Sequence, residues 1–210
     1  MENIDYNKLY QLQNNIFDIL FKTENIFYLT GGTCLSRFYQ AKRYSDDLDF
    51  FADNSIRFNF AVRKVRIAFE KTFNVKVINE ARDFVRLMVN ELLQVDFVNE
   101  KMPHLKDVII TNDNYIIDNV ENILSNKITS IIYRDNPKDI FDIYLIWKYY
   151  NVDWKEIMAS AHEKLHFNDE DLLIRLKTFP VQSIYDIKLI DVHFLDNFEK
   201  EFPELIDSIR

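Results

Sequence analysis

Glycine is scarce in this 210-residue chain, which has two glycines, one cysteine and four prolines. An average sequence of this length would contain roughly 15 glycines. The single cysteine excludes a disulfide framework and a zinc site built from cysteine clusters. No apolar run reaches the roughly 18 residues of a membrane span, and the N-terminal Met1–Asp5 is too acidic and polar for a signal or transit peptide. We therefore expect a soluble, cytoplasmic protein with no membrane partner.

Apolar and acidic residues are plentiful instead. Apolar residues make up 48% of the chain and aromatic residues 15%, which excludes intrinsic disorder. The net charge is −8, yet residues 31–86 hold 11 Lys and Arg against seven Asp and Glu. Such a basic segment in an acidic chain predicts either a local phosphate-facing surface or an ordinary solvated helix face.

The hydrophobic pattern predicts an α+β protein with a mixed β-sheet lobe over residues 1–112 and an all-helical lobe over residues 113–210. Strands are expected at 25–30, 47–52, 74–79, 84–89 and 92–98, the last three spaced as antiparallel hairpins. Helices are expected at 5–22, 33–40, 55–73, 119–133, 137–150, 153–165, 169–178 and 192–201, with Asn168 or Asp169 as an N-cap and Pro137 in a first helical turn.

Both glycines stand together, as Gly31-Gly32, between a predicted strand and a predicted helix. Glycine is needed where φ is positive or where the backbone must approach another group closely. A glycine-rich turn that opens a helix presents backbone N–H groups to an anion, and Thr33 adds a hydroxyl donor there. The alternative is a tight turn that binds nothing.

Two carboxylates follow on the next predicted strand, at Asp47 and Asp49. Residues at i and i+2 of a strand share a face and lie about 7 Å apart. Like charges this close repel unless a cation lies between them, and Mg²⁺ is typically held by one or two carboxylates plus substrate phosphates. An acidic strand end in water is the alternative. Combined with the diglycine turn, the pair favours metal-assisted phosphoryl or nucleotidyl transfer.

Asp96 is a third candidate, because it interrupts a strongly apolar predicted strand. A carboxylate in such a strand is costly unless it is paired or bound to a cation. We interpret it as a third metal ligand, or as the base that takes a proton from an attacking hydroxyl. A solvent-facing position on a half-exposed strand is equally consistent with the pattern.

The predicted helical lobe carries a second group of charges. Lys127 and Arg134 are seven residues apart and share a helix face, and Asp139 and Asp142 share a face of the next helix. These residues are expected either to form an ion-pair network or to place Lys127 on the phosphates of a nucleotide, with Asp142 orienting it. Spacing does not choose between the two.

Taken in order, these segments resemble the AbiEii/AbiGii toxin family, whose members are nucleotidyltransferase-like proteins related to the polymerase β superfamily. The family pattern reads Gly-Gly-Thr/Ser-x-Leu, then Arg-x-Ser-x-Asp-x-Asp, then a Lys…Arg…(Arg/Lys)-Asp-x-x-Asp block. The matching segments are Leu29-Thr30-Gly31-Gly32-Thr33-Cys34-Leu35, Arg43-Tyr44-Ser45-Asp46-Asp47-Leu48-Asp49-Phe50, and Lys127 with Arg134 and Lys138-Asp139-Ile140-Phe141-Asp142. The resemblance covers residues 25–150 and leaves the last 60 without a match.

The resemblance implies a nucleotidyltransferase fold and Mg²⁺-dependent transfer of NMP from an NTP, with a tRNA 3′ end as acceptor. It implies a toxin that acts beside a cognate antitoxin or repressor, in phage defence or growth control. Under it, Gly31, Gly32 and Thr33 would hold the β and γ phosphates, and Asp47 and Asp49 would bind metal. Lys127, with Arg134, would meet the triphosphate, and Asp142 would be the essential acid of the last motif.

The resemblance gives the basic helix over residues 55–73 an interpretation as a path for an RNA backbone. Two other activities stay open, namely modification of a small hydroxyl compound such as an aminoglycoside, and non-catalytic nucleotide binding. His162-Glu163-Lys164-Leu165-His166 also matches the H-E-x-x-H zinc motif. Its charged Lys164 and the absence of a third ligand nearby favour an ordinary charged helix end.

Overall fold

The structure, a computed structural model, describes residues 4–209. Residues 1–3, on which part of the leader prediction depends, lie outside this range. The chain forms two compact units. The first takes in the described residues up to Thr33, together with Ser45–Pro103 and Asp107–Asp118, and the second comprises Cys34–Tyr44, His104–Lys106 and residues 119–209.

The first unit is built on a mixed sheet with the strand order β3-β4-β5-β2-β1-β7-β6. Its strands are β1 (Tyr28–Thr30), β2 (Leu48–Asp53), β3 (Val75–Ala81), β4 (Phe84–Val89), β5 (Leu93–Glu100), β6 (Ile109–Ile110) and β7 (Ile116–Ile117). The predicted hairpins β3–β4 and β4–β5 are antiparallel, whereas β2 lies parallel to β5. The sequence did not indicate the two-residue strands β6 and β7, which are too short to show an alternating pattern.

One face of this sheet is apolar and covered by helices. Along β2, Leu48, Phe50 and Ala52 are buried, and Phe50 meets Phe17 of α1 (Tyr6–Thr23) edge to face, with ring centroids 6.3 Å apart. Helix α3 (Phe58–Glu70) adds Phe58, whose ring packs on Phe27. Since successive strand side chains alternate between faces, this burial turns Asp49 toward the opposite face of the sheet.

The diglycine turn begins a short helix, α2 (Gly31–Cys34), which continues into a π-helical turn over Leu35–Tyr39. The helix predicted for residues 33–40 therefore exists, but it starts two residues earlier, at the glycines themselves. A helix that starts at Gly31 exposes the N–H groups of its first turn, because those groups have no intrahelical acceptor.

The second unit is helical, with α4 (Val120–Tyr133), α5 (Pro137–Tyr149), α6 (Trp154–Lys164), α7 (Asp169–Lys177), a 3₁₀ turn (Val181–Asp186) and α8 (Phe198–Ser208). The Asn168 side chain caps α7 and Pro137 opens α5, as predicted. The α+β class predicted from the sequence is thus confirmed.

The helix predicted over residues 192–201 is misplaced. Helix α8 begins at Phe198 and continues through Pro203 to Ser208, because the buried stripe of Phe198, Phe202, Leu205 and Ile206 runs beyond the proline. Among the described residues, no helix is both long enough and apolar enough to cross a membrane.

Candidate active site

The diglycine turn and the second carboxylate touch each other. Strands β1 and β2 are antiparallel, with Thr30 opposite Asp49, so the turn that follows Thr30 lies beside the Asp49 side chain. Gly31 has a φ of +71°, and a Cβ at this position would lie 2.8 Å from Asp49 Oδ2. A side chain at residue 31 would therefore be strained by its own backbone and would also collide with the carboxylate. Both reasons for a glycine that the sequence analysis gave, a positive φ and a close approach, therefore apply to Gly31.

Thr33 ties the start of α2 to the segment that carries Asp47. Its buried hydroxyl donates to the Asp47 carbonyl oxygen and lies 2.8 Å from the Ser45 hydroxyl. The Thr33 hydroxyl, which was predicted to bind a phosphate, thus forms its hydrogen bonds within the protein, where it positions Asp47. The N–H groups of the first α2 turn are the donors that point out of the helix start.

Helix α1 holds the same segment from another side. The Gln13 amide donates to the Ser45 carbonyl oxygen at 3.1 Å, and the Tyr6 hydroxyl donates to Asp46 at 2.6 Å. Gln13 is fully buried within the apolar face of α1. Sequence reasoning missed this anchor, although a glutamine between Leu12 and Ile16 on a helix face that otherwise forms the core was a usable signal.

Asp96 lies next to Asp49. In the parallel pair of β2 and β5 these two residues are register partners, so both side chains project from the same face of the sheet. On the far side of Asp96, its register partner on β4 is Arg86, and the guanidinium donates to both carboxylate oxygens at 2.8 and 2.6 Å. The three residues form one row across three strands.

Arg86 responds electrostatically to all three carboxylates. Its hydrogen bonds to Asp96 raise its pKa above the ordinary value, against partial burial, and the charges of Asp96, Asp49 and Asp47 raise that pKa further. The three predicted carboxylates therefore lie close enough to Arg86 for each of them to affect its charge. Sequence reasoning did not single out Arg86, whose signal was an arginine inside the apolar run Val85 to Val89.

The donor chemistry of this region fits a hard divalent cation shared with a ligand. Within residues 4–209, no three His, Cys, Asp or Glu side chains form a group that could hold a metal ion by themselves. Asp47 and Asp49 supply oxygen donors, and Mg²⁺ commonly binds to one or two carboxylates while substrate phosphates and water complete its shell. Asp49 lies directly against Gly31, which places a carboxylate oxygen beside the first turn of α2.

The charges predicted in the second unit form a buried ion-pair network. Lys127 Nζ lies 2.8 Å from Asp139 and 2.7 Å from Asp142. Asp142 also accepts two hydrogen bonds of 2.8 Å from Arg43, and Arg134 donates to Asp139 at 2.7 and 3.0 Å. The side chain of Asp142 is only 1% exposed and that of Lys127 only 10%.

The charges of Lys127, Asp139 and Asp142 stabilise one another. Burial alone would lower the pKa of Lys127, but Asp142 and Asp139 outweigh it and hold that pKa above its ordinary value. Burial would likewise raise the pKa of Asp142, yet Arg43 and Lys127 hold it below the usual range. The pKa of Asp139 is also lowered, by Lys127 and Arg134 against the effect of burial.

The structure thus places the predicted site residues in two groups. Gly31, Gly32, Thr33, Asp47, Asp49 and Asp96 belong to the first unit, and Lys127, Arg134 and Asp142 to the second. In the second group, Asp142 does hold Lys127, as the sequence allowed, and the ion-pair network is present. Arg43 was part of the quoted motif but had no predicted role. It proves to be the bidentate partner of Asp142.

The H-E-x-x-H segment does not form a zinc helix. Helix α6 ends at Lys164, so His166 lies beyond the helix and the two histidines do not share one of its faces. His162 instead pairs with Asp169 at 2.7 Å. The interpretation of this segment as an ordinary charged helix end agrees with this arrangement.

Comparison with known proteins places the chain in a family. A model of the AbiEii nucleotidyl transferase toxin family, of type IV toxin–antitoxin systems, matches residues 18–207. An uncharacterised Aquifex aeolicus protein, aq_aa25, is 26% identical over 153 residues, which is 72% of each chain. JHP933 from Helicobacter pylori has a similar fold, with a TM-score of 0.58 at 22% identity, over 99% of this chain and 89% of that one.

A second solved structure with this fold is MenT4, a nucleotidyltransferase toxin from Mycobacterium tuberculosis. Its TM-score is 0.53 at 14% identity, over 96% of this chain and 92% of that one. At this identity the likeness shows the fold, whereas the family model covers most of the sequence itself. The chain therefore belongs to the AbiEii family of nucleotidyltransferase toxins.

Proposed function

We propose that this protein transfers NMP from an NTP to the 3′ end of a tRNA in a Mg²⁺-dependent reaction, and that this transfer is its toxic activity. The observation that carries the proposal is the contact between the diglycine turn and Asp49. Because Gly31 has no side chain, the start of α2 lies directly against the Asp49 carboxylate. The N–H groups of α2, which can bind phosphate, and a carboxylate that can bind a cation are therefore close together.

The roles of the first unit follow from its contacts. The N–H groups at the start of α2 would bind the β and γ phosphates of the NTP. Asp47 and Asp49 would hold Mg²⁺, which when bound supplies positive charge to the phosphates. Thr33 binds the Asp47 main chain, and α1 binds the Ser45 main chain through Gln13, so contacts within the first unit hold the carboxylate segment in place.

In the second unit, Lys127 and Arg134 are proposed to meet the triphosphate and Asp142 to act as their essential acid partner. Supporting this role, Asp142 binds the ammonium of Lys127, and Arg134 keeps 56% of its side chain exposed while it is bound to Asp139. A charged lysine that two carboxylates already bind can reach an anionic ligand only through the part of its side chain that stays accessible. For Lys127 this part is 10% of the side chain.

Helix α3 is the proposed contact for the RNA acceptor. Phe60, Arg63 and Ile67 recur along one exposed side of this helix, and Phe60 is 64% exposed. Base stacking on an aromatic ring, beside a cation for the phosphate backbone, is a common way to bind single-stranded ends. Two other basic side chains at this helix are less available to RNA, because Lys64 and the N-cap residue Arg57 both pair with Glu24.

The decisive experiment incubates the purified protein with each labelled NTP, MgCl₂ and total tRNA. We expect label in the tRNA with one or more NTPs, none in EDTA, and none with an Asp47→Asn/Asp49→Asn variant that folds normally. Transfer by this double variant at the wild-type rate would disprove the proposed metal site.

Two parallel reactions address the competing activities. An aminoglycoside replaces tRNA in the first, and label there without label in RNA would assign the protein to small-molecule modification. Titration with a non-hydrolysable NTP is the second, and binding without any transfer would indicate a non-catalytic module. Induced expression should arrest growth in a cytoplasm that lacks the cognate antitoxin, and co-expression of that antitoxin or repressor should relieve the arrest.

A further inference from the structure

The face of the sheet that carries Asp96 also presents apolar side chains to solvent on the neighbouring strand. Strand β4 alternates between a buried set, Val85, Leu87 and Val89, and a partly exposed set, Phe84, Arg86 and Met88. The partly exposed set shares the face of Asp96, because Arg86 is the register partner of that residue. An aromatic ring and an arginine therefore stay accessible beside the carboxylates.

Strand register sets an apolar row next to the acidic one. Phe84 is the register partner of Val98 on β5, and Val98 is the register partner of Phe51 on β2. This row lies two residues along the strands from the row that contains Asp49 and Arg86. Neighbouring strands are about 4.8 Å apart, and β5 separates β2 from β4. The backbone at Phe84 and Arg86 is therefore about 10 Å from strand β2, which carries Asp49.

The ring and the guanidinium form a pair with unused binding capacity. The Arg86 guanidinium lies 5.5 Å from the centre of the Phe84 ring, and within residues 4–209 no other aromatic ring stacks on Phe84. Arg86 Nε and Nη2 donate to Asp96 at 2.8 and 2.6 Å, which fixes the guanidinium plane. Nη1 has no hydrogen-bond partner in the same range, and the Arg86 side chain is 37% exposed.

This chemistry suits an unpaired nucleobase. Bases of single-stranded RNA stack on aromatic rings and on arginine planes, and an open sheet face is a common support for them. A duplex keeps its bases stacked inside and offers mainly phosphates, which nearby carboxylates repel. Little net positive charge offsets that repulsion, since Arg86 is paired with Asp96, and Lys76, the register partner of Met88 on β3, is paired with Glu91. Stacking is therefore the main attraction that this face offers.

We propose that Phe84 and Arg86 form a stacking platform for the unpaired nucleotides at the 3′ end of the RNA acceptor. This inference rests on the proposed function and deepens it, because it states where the acceptor lies. A stacked strand rises roughly 3.4 Å per nucleotide. An end that reacts beside Asp49 therefore places about its third nucleotide over Phe84, with Arg86 Nη1 as the donor for the adjoining phosphate. Helix α3, on the other face of the sheet, would contact nucleotides farther from the end.

The test uses the full chain and measures RNA binding separately from transfer. Fluorescence anisotropy in MgCl₂ without NTP compares a labelled single-stranded RNA oligonucleotide with the same strand annealed to its complement. A second oligonucleotide carries 2-aminopurine as its third nucleotide from the 3′ end, because the fluorescence of this base is quenched when it stacks. Steady-state assays give KM for tRNA and for the NTP. The variants are Phe84→Leu, which removes the ring, and Phe84→Trp, which keeps one. Tyr185→Leu is the control, since Tyr185 is a 46% exposed ring in the 3₁₀ turn of the second unit.

We expect wild type to bind the single strand more tightly than the duplex. Phe84→Leu should weaken binding of the single strand about 5- to 100-fold and raise KM for tRNA by a similar factor, with KM for the NTP unchanged. The dependence of binding on salt concentration should keep its slope, because no charge is removed. Quenching of 2-aminopurine should be strong with wild type and Phe84→Trp and weak with Phe84→Leu. Tyr185→Leu should match wild type in every measurement.

The inference is overturned if Phe84→Leu binds the single strand and uses tRNA as well as wild type does, or if it quenches 2-aminopurine equally. It is also overturned if wild type binds the duplex as tightly as the single strand. If Phe84→Leu melts well below wild type, the comparison of Phe84→Trp with wild type decides, because loss of quenching in a folded variant that keeps a ring contradicts the platform. Failure of the proposed function looks different, since wild type would then transfer no label to tRNA, whatever the binding measurements show.

Discussion

The two charge clusters of this protein differ in how deeply their carboxylates are buried. In the first unit, Asp49 and Asp96 are register neighbours, Arg86 binds Asp96, and Asp49 lies against the backbone of Gly31. In the second unit, Asp139 and Asp142 are enclosed by Lys127, Arg43 and Arg134, and all their bonds are made within the protein. The carboxylates of the first cluster lie beside the start of α2, whereas those of the second are buried in an ion-pair network in which only Arg134 keeps more than half of its side chain exposed.

This contrast predicts opposite responses to neutralisation. Removing a charge from a half-exposed group of neighbouring carboxylates should relieve repulsion and harm only activity. Removing one from a buried ion-pair network should weaken the pairing of the ions that remain in the interior and harm stability. Four predictions follow the contrast from its strongest consequence to its weakest.

Lys127→Met should have the largest effect, a loss of about 3–5 kcal/mol in the free energy of unfolding, because it leaves Asp139 and Asp142 buried with one cation fewer. Urea denaturation followed by circular dichroism measures it. Lys76→Met, which breaks an exposed pair, should change this free energy by less than about 1 kcal/mol. Equal stability of the two variants would contradict the distinction. Relief of growth arrest by a Lys127 variant is therefore informative only if the variant is folded.

Asp49→Asn should reduce label transfer by about 10²- to 10³-fold, since a ligand for the phosphate-bound cation is weakened at the transition state. Its melting temperature in EDTA should equal or exceed that of wild type, because one of three repelling charges is gone. The two readouts are nucleotide transfer and differential scanning fluorimetry. A clear drop in melting temperature would place Asp49 with the structural charges of the second unit instead.

Gly31→Ala should affect both properties to an intermediate degree. A Cβ at a φ of +71°, 2.8 Å from Asp49 Oδ2, costs about 1–3 kcal/mol of stability and displaces the carboxylate. Misplacement of a catalytic group by about 1 Å lowers activity by roughly 10²-fold. Gly32→Ala is the matched control, because Gly32 does not have a positive φ and an alanine there keeps the backbone N–H group. Equal activity of the two variants would contradict the role of Gly31.

A change of pH should distinguish the two clusters by the smallest effect of the four, a change in stability at acid pH. The folded-state pKa values of Asp139 and Asp142 are lowered, so their contribution to stability is complete above the unfolded value of about 3.9 and is lost as pH falls below it. Lys127 has a raised pKa, and its contribution is complete below about 10.4 and is lost above that value. Urea midpoints should stay constant between about pH 5 and 9. Asp142→Asn should show a shallower fall below pH 4 than wild type, and an equal slope would contradict this assignment.

Much of the first site was predictable from spacing alone. Gly31-Gly32, Asp47 and Asp49 stood out because this composition avoids glycine and because a strand places residues i and i+2 on one face. The parallel pairing that brings Asp96 beside Asp49 was not predictable, since β2 and β5 are separated along the chain by α3 and the β3–β4 hairpin. Asp96 was singled out for its chemistry and not for its neighbours.

The supporting residues were harder to find than the acidic ones. Gln13, Thr33 and Arg86 act through hydrogen bonds to residues 32, 14 and 10 positions away in the sequence, and no local pattern encodes such contacts. In the second unit, the helical spacing of Lys127, Arg134, Asp139 and Asp142 allowed an ion-pair network. It did not reveal that Arg43, 99 residues before Asp142, completes it.

The sequence by itself determined the α+β class, the helix and strand periods and the residues rich enough in charge to carry chemistry, because these depend on local spacing and on composition. The tertiary structure alone decided which group each carboxylate lies against, since that depends on strand register and on contacts between distant segments. The pairing of β4 with β5 gave Asp96 its partner Arg86, and the pairing of β1 with β2 placed Asp49 against Gly31.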